Sequence, residues 1–247
     1  MKTFKQFLGE SAFQQKITVE EAVALAKKHC KDALRFPETP IVRGMKYNGC
    51  HIMQGDLGSR KSRSTSNFYT TIFDETLPPL GYPKRSASAI CATNGNSHHA
   101  SRYGNLFAIL PFNGVPIGVC PELDMWDTMV KIGKREDVVS DWNDYFGETL
   151  EAPDTTFDAL VKHIEALLRN PEEDHDSDAA KKYFKKGQVE KQLHNAYSAD
   201  AAGMALTTSK DPAIFHEDAM RELWIGGKCI AMPIKEYMKH FGAVVTI

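Results

Sequence analysis

NLFAILPFNGVPIGVC, residues 105–120, sets two short apolar runs on either side of Asn113-Gly114. Each run is mainly apolar and abuts the Asn113-Gly114 turn. They read as buried strands, Asn105 to Pro111 and Val115 to Cys120, around that turn. Upstream, Pro40-Ile41-Val42-Arg43-Gly44 is a short strand broken by glycine. Downstream, Arg221 to Ile225, Lys228 to Met232 and Ala243 to Ile247 regain strand character, with Gly226-Gly227 as a hairpin turn. From Pro121 to about Leu206 the pattern is mainly helical. Phe157 to Arg169 follows the cap-like Asp154-Thr155-Thr156, and a second stretch runs near Ala179 to Ala196. The acidic run from Glu172 to Asp178 between them reads as a solvated loop. At the other end, Thr18 and Glu21 form a capping box that opens a helix at Val19. Its apolar stripe stops before Pro37. Strand-rich ends around a helical middle give an α+β class with an N-terminal helix and a helical insertion at about 121–206.

The chain has 247 residues, of which 42% are hydrophobic and 25% charged, so it holds one large domain or one domain with a sizeable insertion. A formal net charge of −2 provides no global field to hold nucleic acid or anionic lipid. Apolar runs such as Ala108 to Pro111 are far too short to cross a bilayer, so no membrane partner is expected. Five cysteines, Cys30, Cys50, Cys91, Cys120 and Cys229, are odd in number and scattered without a CxxC pair. That spacing argues against a disulfide framework or zinc site and for a reducing compartment. No metal site is expected from the nine histidines, which include His98-His99. Glu122, Asp124 and Asp127 after Pro121 read as the acidic first turn of a helix rather than a metal patch. Arg60, Lys61 and Arg63 form the densest basic cluster, in a polar loop spanning Gly58 to Asn67.

The N-terminus reads MKTFKQFLGESA. Phe4, Phe7 and Leu8 give it one apolar helical face, which suits a short docking helix. The string also closely resembles the capsid-targeting leader of internal head proteins in T-even-type phages. That leader pairs Met-Lys-Thr-aromatic with Phe-aliphatic-x-Glu and is cut after the glutamate by the prohead protease. Met1-Lys2-Thr3-Phe4 and Phe7-Leu8-Gly9-Glu10 supply both elements, and small Ser11-Ala12 follow. The resemblance implies a cleavable leader over residues 1–10, a domain over 11–247, and residence in the virion interior before entry into the host cytoplasm.

Three separated elements then matter together: Val42-Arg43-Gly44, Ser86-Ala87-Ser88 with Ala100-Ser101-Arg102-Tyr103-Gly104 behind it, and Glu222-Leu223-Trp224-Ile225. In this order they resemble the mono-ADP-ribosyltransferase family of the arginine–serine–glutamate type. The family's first-strand arginine is usually followed by glycine, its Ser-x-Ser strand leads into a helix, and a late strand begins with the catalytic glutamate. The resemblance implies a split β-sheet core and NAD as substrate. It makes Glu222, Ser86 and Arg43 the catalytic set, and Arg43, Gly44, Ser86, Ser88 and Tyr103 the NAD-binding set. Tyr69, Phe73 or Tyr103 would stack on nicotinamide. Ser64-Thr65-Ser66 offers a second Ser-x-Ser, but it lies in a polar loop with no strand-forming run.

The residue types suit the reaction. Breaking the nicotinamide–ribose bond leaves positive charge on the sugar, which a nearby carboxylate stabilises. By resemblance that carboxylate is Glu222, with the Ser86 hydroxyl fixing its rotamer and Arg43 offering a planar donor fork to the NAD phosphates or ribose. The interval from Ser86 to Glu222 is longer than in compact members and demands the helical insertion. Met220 stands where arginine-modifying members carry Glu or Gln, so the acceptor stays open, a host protein or nucleic acid. The competing expectation is a non-catalytic internal head protein that binds and inhibits a host defence enzyme.

Overall fold

The structure is a computed structural model that describes residues 14–54, 68–128, 156–169, 184–216 and 218–242. The leader-like N-terminus, the basic cluster with Ser64-Thr65-Ser66, the acidic run and Ala243 to Ile247 lie outside them. The protein is α+β and divides into two compact units. One comprises residues 1–60, 81–123 and 205–247, the other 61–80 and 124–204.

The first unit carries a nine-stranded sheet, with β1 at Gln14–Ile17, β2 at Ile41–Met45, β3 at Cys50–Gln54, β4 at Ala89–Ala92 and β5 at Asn105–Pro111. Then come β6 at Ile117–Val119, β7 at Ala205–Thr207, β8 at Glu222–Ile225 and β9 at Lys228–Pro233. Their order is β1-β3-β9-β5-β2-β4-β8-β6-β7, and each described pairing is antiparallel. The sheet has a waist. β2 meets β4 through the single pair Val42↔Ala92, whereas β2 meets β5 through five pairs and β4 meets β8 through four. On one side of the waist stand β1, β3, β9, β5 and β2; on the other stand β4, β8, β6 and β7.

Three expectations change here. Both strands of the 105–120 stretch form, but they do not pair with each other: β5 lies between β9 and β2, and β6 lies between β8 and β7. Gly114, at φ +77°, lets the chain turn across the waist rather than close a hairpin. Gly226-Gly227 is likewise no hairpin turn, since β8 and β9 also stand on opposite sides. Space is the reason for glycine there. A Cβ on Gly226 would sit 2.2 Å from Pro83 Cβ, and one on Gly227 would sit 3.0 Å from Val115 Cγ2. Gly44 does not break its strand but lies inside β2. The short segments β1, β3 and β7 lacked a pattern strong enough to be read as strands.

The N-terminal helix α1, Val19–His29, starts as its sequence dictates. Glu21 N–H donates to Thr18 Oγ1 at 3.1 Å, and Thr18 N–H donates to Glu21 Oε2 at 2.8 Å. Ala22 and Ala26 are its fully buried residues, and it packs on β3 and β9. Ser97–Ser101 forms α3, which packs on β2, and Ile234–His240 forms α7, which packs on β5 and β9. Cys229, Ile230, Ala231 and Met232 are all fully buried. Alternate residues of a strand point to opposite faces, so β9 is covered on both.

The second unit is helical among its described residues: α2 at Phe68–Thr76, α4 at Phe157–Arg169, α5 at Val189–Ala196 and α6 at Ala199–Ala202. Thr156 caps α4, its Oγ1 accepting from Ala159 N–H at 3.2 Å. Leu160, Ile164 and Leu193 bury the facing stripes of α4 and α5. The Thr76 hydroxyl ties α2 to the Tyr197 carbonyl at 3.1 Å. No helix among the described residues is long and apolar enough to cross a membrane.

Candidate functional site

Sheet register decides which motif residues share a face. Val42 lies opposite Ala92, and Ala92 lies opposite Glu222, so these three form one row across β2, β4 and β8. Directly opposed residues point the same way. Glu222 and Trp224 therefore occupy one face, while Leu223 and Ile225 point into the main apolar core with Ala89 and Cys91. The strands that carry the arginine and glutamate motifs thus flank β4, the strand that follows the serine motif, and all three are consecutive in the sheet, although their residues span positions 41 to 225 of the chain.

Glu222 is buried, with about 9% of its side chain open. Its backbone is held on both sides: its N–H donates to the Glu122 carbonyl at 3.2 Å, and its carbonyl accepts from Cys120 N–H at 2.9 Å. The preceding turn is fastened to β4 by Thr93, whose hydroxyl donates to the Ala219 carbonyl and accepts from Arg221 N–H. The carboxylate takes a two-point contact from Arg85. Nε donates to Oε1 at 3.1 Å and Nη2 to Oε2 at 3.4 Å. Trp224 Nε1 donates to the same Oε1 at 2.6 Å. The Arg85 guanidinium also lies over the Trp224 ring, 5.9 Å from its centroid. Trp224 is fully buried and Arg85 is 7% exposed. Gly118 on β6 makes room for the indole, since a Cβ there would come within 2.9 Å of Trp224 Cε3.

The remaining motif residues divide. Ser86 sits in a single 3-10 turn, Arg85–Ala87, rather than in a strand, and β4 begins only at Ala89. Ser88 is buried and its hydroxyl donates to the Lys84 carbonyl at 2.6 Å, closing that turn. Gly44 shares the face of Glu222. Its hydrogen side faces α3, where a Cβ would lie 1.9 Å from the Ala100 carbonyl oxygen. Close helix packing accounts for this glycine without any ligand. Tyr103 follows α3 on the same face, 49% exposed, with its ring 5.7 Å from that of His99. Tyr69 and Phe73 are buried in the helical unit. Asp124 Oδ1 accepts from Asp127 N–H at 2.8 Å, the helix-opening role expected of it.

Arg43 departs from its expected place. It neighbours Val42 on β2, so its side chain leaves the strand on the face opposite Glu222, in register with buried Phe107. It lies within electrostatic reach of the Cys229 thiol in the core. Burial above all, then Cys91, pushes that thiol well above its ordinary range, and Arg43 opposes the shift. Strand parity, which a motif of three residues does not carry across unknown pairings, is what separates Arg43 from the carboxylate.

No protein-family model, characterised protein or solved structure matches the chain.

Arg85 is the residue that sequence reasoning missed. It stands directly before the serines, but an arginine after Lys84 in a turn region reads as a solvated charge. The pattern Glu222-x-Trp224 does place a carboxylate and an indole donor on one strand face, the only local hint of a buried polar group. All five cysteines are buried and none is in a disulfide. Among the described residues no group of three or more His, Cys, Asp or Glu side chains is placed to hold a metal. A hollow of about 450 Å³ in the helical unit, lined by residues including Val161, Glu165, Lys191 and His194, holds none of the motif residues.

Proposed function

We propose that this protein is an ADP-ribosyltransferase with a split-sheet core, which takes ADP-ribose from NAD and delivers it to a host macromolecule. The observation that carries the reading is the adjacency of β2, β4 and β8, with a buried carboxylate at the head of the last. In this reaction the bond between ribose C1′ and the nicotinamide nitrogen breaks, and nicotinamide leaves with the bonding pair. An acceptor nucleophile then bonds to C1′ and releases a proton. Glu222 faces the developing positive charge on the ribose, in a site dry enough to strengthen that attraction. Tyr103 offers an exposed ring for stacking, while Ser86 and Ser88 shape the turn beside the carboxylate. Arg43 has no part in holding NAD on this reading.

The test is Glu222→Gln in the full chain, assayed with labelled NAD and host lysate treated separately with protease and nuclease. Transfer per folded molecule falls by about a hundredfold, the scale for one pre-placed electrostatic group, while NAD affinity changes far less. Full transferase activity in the variant, or no NAD consumption by the wild type, overturns the assignment. The lysate treatments decide whether the acceptor is protein or nucleic acid.

The N-terminal stretch supports a delivery route: packaging in a phage head, removal of residues 1–10 by the prohead protease, and passage into the host with the DNA. Protein recovered from heads then begins at Ser11, and an intact Met1 in that material rejects the route. The non-catalytic inhibitor reading gains support only if the protein binds a host enzyme and leaves NAD untouched.

A further inference from the structure

We propose that Arg85, with Trp224, is the positioning residue that holds the Glu222 carboxylate in its working orientation, a role the sequence resemblance gives to Ser86; this rests on the ADP-ribosyltransferase reading. The geometry is specific. A guanidinium contacts both oxygens of one carboxylate, at 3.1 and 3.4 Å, and an indole N–H contacts Oε1 at 2.6 Å. All three side chains are at least nine-tenths buried, so none of these contacts competes with bulk water.

Each partner is itself fixed. Arg85 belongs to a turn closed by the hydrogen bond from the Ser88 hydroxyl to the Lys84 carbonyl. Its guanidinium rests on the indole that shares its acceptor. Trp224 is seated against Gly118 and lies two residues along the same strand face from Glu222. Each of the three side chains thus contacts the other two. Among the described residues, the Arg85 Nε and Trp224 Nε1 donors meet at Oε1 and Arg85 Nη2 reaches Oε2, contacts that together favour one carboxylate plane. A carboxylate so held meets a reacting sugar without first reorganising, the condition under which a fixed charge contributes most to a rate. The placement also gives a use to an ion pair that would otherwise be an unrewarded burial of two charges.

A lysine at position 85 keeps the charge and loses the planar fork; a glutamine loses both. In the full chain, kcat for NAD cleavage falls about tenfold in Arg85→Lys and about a hundredfold in Arg85→Gln, with KM moving less than about twofold. A second readout does not need catalysis. The Trp224 indole N–H resonance, identified by its disappearance in Trp224→Phe, shifts in Arg85→Lys because its acceptor has reoriented. Wild-type kcat in Arg85→Lys with an unmoved indole resonance overturns the proposal. Arg85→Lys retains a cation in the buried site, so it decides the question even if Arg85→Gln does not fold. Should the wild type leave NAD intact, the ADP-ribosyltransferase reading fails by itself. An unmoved indole resonance instead rejects Arg85 as the residue that orients Glu222, whatever the reaction.

Discussion

The two sides of the sheet's waist solve opposite problems with the same strand chemistry. The side holding β1, β3, β9, β5 and β2 is organised around β9, whose Cys229–Met232 stretch is apolar and covered on both faces. The side holding β4, β8, β6 and β7 turns one face to the same apolar core but buries Arg85 and Glu222 on the other. Burying apolar area is favourable wherever it occurs; burying two charges is rewarded only when geometry is good and partners are complete. One side therefore supplies stability and the other accepts a stability cost in exchange for a fixed carboxylate.

The contrast breaks most visibly at Arg85. Removing one partner of a buried pair costs about 3–5 kcal/mol, because the surviving charge is stranded, whereas neutralising both costs less. Arg85→Gln is therefore strongly destabilised in denaturant unfolding, and Arg85→Gln with Glu222→Gln recovers part of the loss. A double variant less stable than Arg85→Gln would contradict the stranded-charge account. Next comes Ile230→Ala, in the centre of the other side. Deleting a fully buried isoleucine to alanine costs about 2–5 kcal/mol, at the lower end where neighbours collapse. On the proposed ADP-ribosyltransferase reading, NAD cleavage per folded molecule stays near wild type, because nothing in the carboxylate's setting changes. Loss of turnover in a folded Ile230→Ala protein would dissolve the division of labour between the two sides.

How much of this was legible in the sequence depends on whether the deciding interaction was local. The Thr18–Glu21 box, the Thr156 cap and the strand at Glu222 each follow from residues within a few positions of one another, and they are where the sequence puts them. The pairing of β5 and β6 was not legible, because Asn113-Gly114 specifies a turn without specifying which strands it joins. Gly226-Gly227 misled for the same reason: two glycines suit a hairpin, yet here they clear Pro83 and Val115. Arg43 and Arg85 show the limit most sharply. Which arginine reaches Glu222 is set by strand parity and by a turn 137 residues away, and neither leaves a local mark.

Two smaller predictions sharpen the comparison from its stable side. Thr18→Ala removes the hydroxyl that accepts from Glu21 N–H and costs about 1 kcal/mol, read as a shift in denaturation midpoint without a change in slope. His51, on β3, has its ordinary value of 6.5 lowered by burial first, partly opposed by its bond to the Asn48 carbonyl, with Lys16 adding to the lowering. Its Nδ1 is buried without a partner among the described residues. A histidine kept neutral when folded lets the unfolded chain bind the proton more readily, so its contribution is whole well above pH 6.5 and is lost as pH falls through that value. The slope of stability against pH in this window flattens in His51→Gln, and an unchanged slope would show that another group sets it.

The place of β9 also bears on how the chain reaches its fold. Residues 228–233 are the last strand in sequence among those described, yet they sit between β3 and β5 near the middle of the sheet. Until they emerge from the ribosome, β3 and β5 have no common neighbour, and their inward edges offer open hydrogen-bonding groups to any passing strand. Assembly of that side therefore waits for a strand 174 or more residues after β3 and is dominated by long-range pairing, a slow and aggregation-exposed route. Expression yield should respond to temperature and chaperone supply far more than the finished fold's stability would suggest.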